Sequence, residues 1–208
     1  MTDLTDSIPG GDRLARQIRF LVETDRLKAV LRRTYVIGAE RYENSAEHSW
    51  QLPLAALILA EYAGEALDLP RVLKMLLVHD IIEIDAGDTY CYDEAGALDK
   101  AEREGRAAER IFGLLPADQA AEIHALWTEF EAGITAEARF ANAVDRLMPL
   151  LHNYYTQGRS WQEHGITADR VLERNRQVGK ASATLGVLVQ ALVDDALARG
   201  YLAPAPEG

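Results

Sequence analysis

The stretch Met75-Leu76-Leu77-Val78-His79-Asp80-Ile81-Ile82-Glu83-Ile84-Asp85 decides how this chain is read. Its apolar residues belong to a helix that opens after Pro70, runs from Arg71 to about Ile84 and closes near Gly87. Inside that helix sit an imidazole and a carboxylate. A second carboxylate, Glu83, follows at i+4 from His79 and i+3 from Asp80, and so shares their face. Burying such groups costs free energy unless something pairs with them. A capping or hydrogen-bonded pair is the ordinary solution. A divalent cation is the other, and it would make this segment part of an enzyme.

Two further segments favour the cation. Upstream lies Glu43-Asn44-Ser45-Ala46-Glu47-His48-Ser49, and downstream Ala143-Val144-Asp145-Arg146-Leu147. Each offers one potential ligand from a different helical segment. Two imidazole nitrogens and two carboxylate oxygens form a mixed donor set that suits Mn, Co, Fe, Ni or Zn better than Ca. Coordination positions would remain for water and a substrate oxygen. Glu83 is placed to take a proton from such a water. Asp88 and Thr89 follow Gly87, where the chain can bend back over the site. Arg33, beside Arg32, is a candidate phosphate contact, although a solvated basic helix end is equally compatible with the pair. His152 lies two turns after Asp145 on the same face, as a substrate contact or a second metal ligand. Trp50, Trp127 and Trp161 read as packing residues.

Working outward, helical spacing continues along the chain. Leu14, Ile18, Leu21, Val22 and Leu27 mark a helix between Asp12 and Arg32, with a short helix or turn over Leu27 to Arg33. Thr34 to Glu43 reads as an extended loop. Asn44 or Ser45 caps a helix reaching about Gly64, with Pro53 near a local bend. Ala95 to Leu114 is helical, and Pro116 starts the next helix. Gly133-Ile134-Thr135 is a break with a cap at Thr135, and the helix after it carries Phe140, Val144, Leu147, Leu150 and Leu151. Gly158 to Thr167 reads as a loop, and Thr167 to about Arg199 as a helix or a pair of helices. Convincing strand alternation is absent. The expected architecture is all-α: a single domain over residues 12–200, a bundle of six or more helices. Residues 1–11 form a flexible lead-in and 201–208 a Pro-rich tail.

The totals narrow the function. With 208 residues, 48% of them hydrophobic, the chain can build a sizeable core. Its net charge of −11 opposes binding to a nucleic acid polymer, while leaving room for a small phosphorylated substrate held by a metal and one or two arginines. Cys91 is the single cysteine, so an intramolecular disulfide and a zinc–thiolate cluster are both excluded. The start, Met1-Thr2-Asp3-Leu4-Thr5-Asp6, is not a secretory signal, and the longest apolar run, Leu52 to Ala60, is too short to span a bilayer. A cytoplasmic protein without a membrane partner is expected.

The order His48, His79-Asp80, Asp145 on a helical chain resembles the HD-domain metal-dependent phosphohydrolases. The closer resemblance is to their helical 5′-deoxynucleotidase branch. It rests on Glu43 to Ser49, on His79-Asp80-Ile81-Ile82-Glu83, on Gly87-Asp88-Thr89 and on Val144-Asp145. The resemblance implies an HD-type bundle in which His48, His79, Asp80 and Asp145 hold one divalent transition metal, with Mg as a further candidate. It implies Glu83 as the catalytic carboxylate, Asp88 as an aid to proton transfer to the leaving group or a hold on the nucleotide's sugar end, and Arg33 as a phosphate contact. The implied reaction is hydrolysis of a nucleoside 5′-monophosphate or similar small phosphate ester, by a homodimer in keeping with the family's habit. Two alternatives stand beside it. One is a di-iron oxygenase on the same fold, which needs further ligands such as His152. The other is a non-catalytic nucleotide-binding regulatory module.

Overall fold

The computed structural model describes residues 11–206, which hold ten α-helices and one two-stranded hairpin. The expected lead-in falls almost wholly outside these residues. Helix α1 spans Gly11–Thr24 and passes into a 3-10 turn, Asp25–Ala29. Here the sequence reading needs correction, because the chain next forms strand β1, Leu31–Tyr35, antiparallel to β2, Tyr42–Asn44. Leu31 pairs with Asn44 and Tyr35 with Tyr42, with an irregularity in register between them. Charged Arg32 and Arg33 hide the alternation, since the inward-facing residue is itself a cation. The hairpin docks on the helix α8 (Arg159–Glu163): Tyr35 and Tyr42 donate to Glu163 at 2.8 and 3.2 Å, and the Arg159 guanidinium covers the Tyr35 ring at 3.9 Å. That helix lies within the region read as a loop, and it buries Trp161.

Helix α2, Ser45–Leu59, starts where the capping chemistry says it should. Asn44 accepts from the Glu47 N–H and the Glu47 side chain accepts from the Asn44 N–H, satisfying two orphan donors at once. Leu52 and Ala56 face the core, whereas Trp50 is 68% exposed and does not pack as expected.

Helix α3, Leu69–Val78, is shorter than its apolar run. After Val78 the ladder tightens into three-residue turns, with Ile81 N–H on Val78 O and Glu83 N–H on Asp80 O. A one-turn helix α4, Glu83–Ala86, then ends at Gly87. The expected continuous helix to Ile84 is therefore broken at the His-Asp doublet. Helices α5, Lys100–Phe112, and α6, Ala117–Ala132, follow, and Thr135 caps α7, Ala136–Tyr155, by accepting from Ala138 N–H. Helix α7 is the central post, burying Phe140, Val144 and Leu147 against α3 and α9.

Ser182 ends α9, Ala168–Ala181, and caps α10, Ala183–Ala198. The two helices cross at glycines: a Cβ on Gly186 would lie 2.6 Å from Gly179 Cα. Past α10 the chain is not a free tail, because Leu202 is buried and Ala203 forms a parallel bridge with Thr167. Gly158, at φ +74°, leaves the Tyr201 carbonyl room that a side chain would take. No helix among the described residues is long and apolar enough to cross a membrane.

Candidate metal centre

Three elements deliver the donors. His48 stands in the first turn of α2, His79 directly follows α3, and Asp145 lies midway along α7. Each presents one donor atom within 4.8 Å of the other two. His48 Nε2 is 2.9 Å and His79 Nε2 3.7 Å from Asp145 Oδ1. Asp80 is not part of this mutual set of three. Its Oδ1 is 3.0 Å from His79 Nε2, while Oδ2 accepts from Arg32 at 3.0 Å.

The residues fit a cation. His79 Nδ1 lies 2.9 Å from the Leu76 carbonyl, which can only accept, so Nδ1 carries the proton. In the neutral imidazole Nε2 then turns a lone pair toward two carboxylates, buried and without a hydrogen-bond partner. A lone pair facing anions is repulsive until a positive charge lies between them. Donor separations near 3 Å are what a cation with bonds of about 2.0–2.2 Å spans, and the mixed N/O set suits a first-row transition ion. His48 has a carboxylate behind its ring, with Nδ1 3.5 Å from Glu43 Oε2, an arrangement that orients a ligating imidazole.

The cluster is otherwise held by protons. Burial and the Arg32 charge oppose a protonated His48, yet hydrogen bonds to Asp145 and Glu43 raise its pKa. Burial also opposes protonation of His79, but Asp80 and Asp145 lift its pKa well above the ordinary value. Against the cost of burial, the hydrogen bond from His48 and the nearby His79 imidazole hold Asp145 well below the usual carboxylate range. A binding cation displaces these protons.

A second layer surrounds the donors. Arg32 enters from β1, with Nη1 3.0 Å from Asp80, 3.5 Å from Asp88 and 4.0 Å from Glu83, and Nε 3.6 Å from Glu43. Burial would lower its pKa, but Asp80, Asp88 and Glu83 raise it. Glu83 Oε2 accepts from Ser45 Oγ at 2.6 Å. Burial first, and the Asp80 charge next, push the Glu83 carboxyl well above its ordinary value. Burial raises Asp88 as well. The sequence reading gave no site role to Arg32, named Glu43 only as part of a motif and took Ser45 only as a possible helix cap. The usable signal was the Arg-Arg doublet: on a strand, successive side chains face opposite ways, so one of the two turns inward.

A cavity of about 260 Å³ opens over the cluster. His79, Asp80, Glu83, Asp88 and Asp145 form part of its wall, as do the expected substrate contacts Arg33 and Thr89. His152 does not reach it. Its Nε2 is 2.9 Å from Gln51 Oε1 and its Nδ1 3.7 Å from Glu43 Oε1, so it stands behind the ligand layer. Two turns of α7 displace it from Asp145 by about 10 Å along the axis, a distance that sharing a face does not remove. The oxygenase alternative thereby loses the donor it needed for a second iron.

Known proteins are similar to this chain in sequence and fold. The HD domain family model matches residues 24–185. The human (Homo sapiens) 5′-deoxynucleotidase HDDC2 is 30% identical over 135 residues, covering 64% of this chain and 65% of its own length. The 5′-deoxynucleotidase hdd1 of Schizosaccharomyces pombe is 28% identical over 134 residues, covering 62% and 66%. This chain thus spans just under two thirds of these curated relatives. The crystal structure of a predicted metal-dependent phosphohydrolase from Magnetospirillum magnetotacticum MS-1 is 55% identical, with a TM-score of 0.90 over 95% of this chain and 100% of that one. The PH0347 protein from Pyrococcus horikoshii OT3, at 20% identity, a TM-score of 0.62 and coverage of 85% and 98%, shares the fold. With the helical bundle and the family match across most of its length, this chain belongs to the HD domain family.

Proposed function

We propose that this chain is a metal-dependent phosphomonoester hydrolase acting on a nucleoside 5′-monophosphate or a similar small phosphate ester. The observation that carries this reading is the orphaned His79 Nε2, converging with His48 and Asp145 beneath a cavity that also holds the Glu83 carboxyl. His48, His79 and Asp145, with Asp80 beside them, would hold one divalent transition ion (Mn, Co, Fe, Ni or Zn, with Mg a further candidate). Bound there, such an ion supplies Lewis acidity to water and positive charge to phosphoryl oxygens.

The chain's own groups do the rest. Glu83 takes a proton at Oε1, because Ser45 occupies Oε2. Burial raises the proton affinity of that carboxylate, which favours its acting as an acceptor. Arg32 neutralises the crowded carboxylates and keeps Asp80 and Asp88 in place. Arg33 reads the phosphoryl oxygens, and its charge offsets what develops on them. Asp88, also raised, gives a proton to the leaving oxygen. The Thr89 hydroxyl, which accepts from Arg103 at 3.2 Å, has its own proton free for the substrate. The 5′-deoxynucleotidase relatives support a nucleotide as the ester, and the net charge of −11 favours a small molecule over a polymer.

The test is phosphate release from nucleoside monophosphates and other small phosphate esters, with Mn, Co, Ni, Zn, Fe and Mg each supplied to stripped protein. Release is expected with at least one metal and not from the stripped protein. Silence across every ester and every metal would overturn the reading.

A further inference from the structure

The cavity wall holds more positive charge than the metal cluster uses. Arg32 is consumed by Asp80, Asp88 and Glu83, and Lys100 by Glu104 at 2.9 Å. Arg33, Arg146 and Arg174 line the same cavity, and among the described residues none of the three has a carboxylate within 4.0 Å. Partners are not scarce in a chain with 33 acidic residues against 22 Lys and Arg.

Arg146 also reaches across to the backbone of Arg174. Arg146, on α7, donates from Nη1 to the Arg174 carbonyl of α9 at 3.0 Å, and its buried Nε has no partner. A single bond to a carbonyl accounts for one of five N–H donors, so bracing α7 against α9 does not explain the pair. Two like charges on a half-buried wall repel, and an anion between them reverses the sign of the interaction.

Arg146 is turned away from the donor carboxylate beside it. Arg146 directly follows Asp145, and adjacent helical side chains diverge by about 100°. Arg146 also borders a neighbouring cleft, lined by Gly133, Arg139 and Gln177, that contains none of the metal donors.

We propose that Arg146 and Arg174 form a second anion-binding subsite, so that the substrate is a phosphomonoester carrying another anionic group, a phosphate or a carboxylate. As a statement about substrate this rests on the hydrolase reading above. As a binding site it does not.

The experiment has two arms. In the first, metal-loaded protein is assayed on matched pairs: phenyl phosphate against 4-carboxyphenyl phosphate, and deoxyadenosine 5′-monophosphate against its 3′,5′-bisphosphate. The doubly charged member of at least one pair should show kcat/KM higher by about tenfold or more, as charge-assisted hydrogen bonds warrant, and the pair that shows it tells carboxylate from phosphate. Arg146→Gln and Arg174→Gln should erase most of that preference, while Arg174→Lys restores part of it. In the second arm, inorganic phosphate is titrated into metal-stripped protein, with Tm as the readout. The wild type should be stabilised, and both Gln variants should lose most of the shift. Equal preference for both members of each pair in the wild type, or the same phosphate-induced Tm shift in wild type and variants, overturns the subsite. Absence of all turnover sinks only the hydrolase reading, because the phosphate titration still decides whether the anion site exists.

Discussion

Glu83 carries the sharpest consequence at the scale of single residues. Glu83→Gln keeps the shape and the Ser45 contact but removes the proton acceptor. It should leave about one metal per chain, by elemental analysis, and lower kcat by about 10²–10⁴-fold. An unchanged kcat would remove Glu83 from the chemistry. Glu43 is the opposite case. It touches His48 from behind, so Glu43→Ala should weaken metal affinity by about 10–100-fold, measured by competition with a chelating dye. This part of the cluster was legible in the sequence because polar groups in apolar surroundings announce themselves: His79, Asp80 and Glu83 stand out between Val78 and Ile84. Glu43 and Arg32 were not, because their roles depend on which way a side chain turns. His152 misled for the same reason, since helical periodicity reports a face and not a height along the axis.

At the scale of elements, local chemistry was read well where it is self-contained. Asn44 with Glu47, and Gly133 with Thr135, mark helix ends through hydrogen bonds made within four residues. It was read poorly where tertiary contacts override spacing. The hairpin β1–β2 exists because Tyr35 and Tyr42 reach Glu163, more than a hundred residues away, and no local pattern encodes that. The crossing of α9 on α10 yields a paired prediction. Gly→Ala inside a helix gains about 1 kcal/mol from propensity alone. At Gly179 the added Cβ would lie 3.6 Å from Gly186 Cα, an ordinary contact, so Gly179→Ala should be neutral or stabilising. At Gly186 it would lie 2.6 Å from a backbone atom that cannot rotate away, so Gly186→Ala should cost about 1–3 kcal/mol. Urea denaturation of the two variants side by side checks the difference in sign.

For the molecule as a whole, the site is also a clamp. Its donors come from α2, the end of α3 and α7, so a cation there crosslinks the bundle. Metal at about a hundred times its Kd should stabilise the folded state by about 2.7 kcal/mol, or roughly 5–10 °C in Tm for a chain of this size. Calorimetry before and after chelation measures it, and a Tm indifferent to metal would argue against the three-helix site. The all-α bundle was visible from periodicity because a stripe every third or fourth residue is a whole-element property that survives errors at helix ends.

The hairpin's exit has one more implication. Between positions 43 and 48, Glu43 backs an imidazole, Asn44 closes a strand while opening a helix, Ser45 donates to the Glu83 carboxyl, Glu47 completes the cap and His48 belongs to the candidate metal set. Such crowding of duties leaves almost no freedom for drift. Saturation mutagenesis scored on turnover should show an intolerant block here, broken only at Ala46, beside a tip at 37–40 that is permissive except at Gly38, whose φ is +79°.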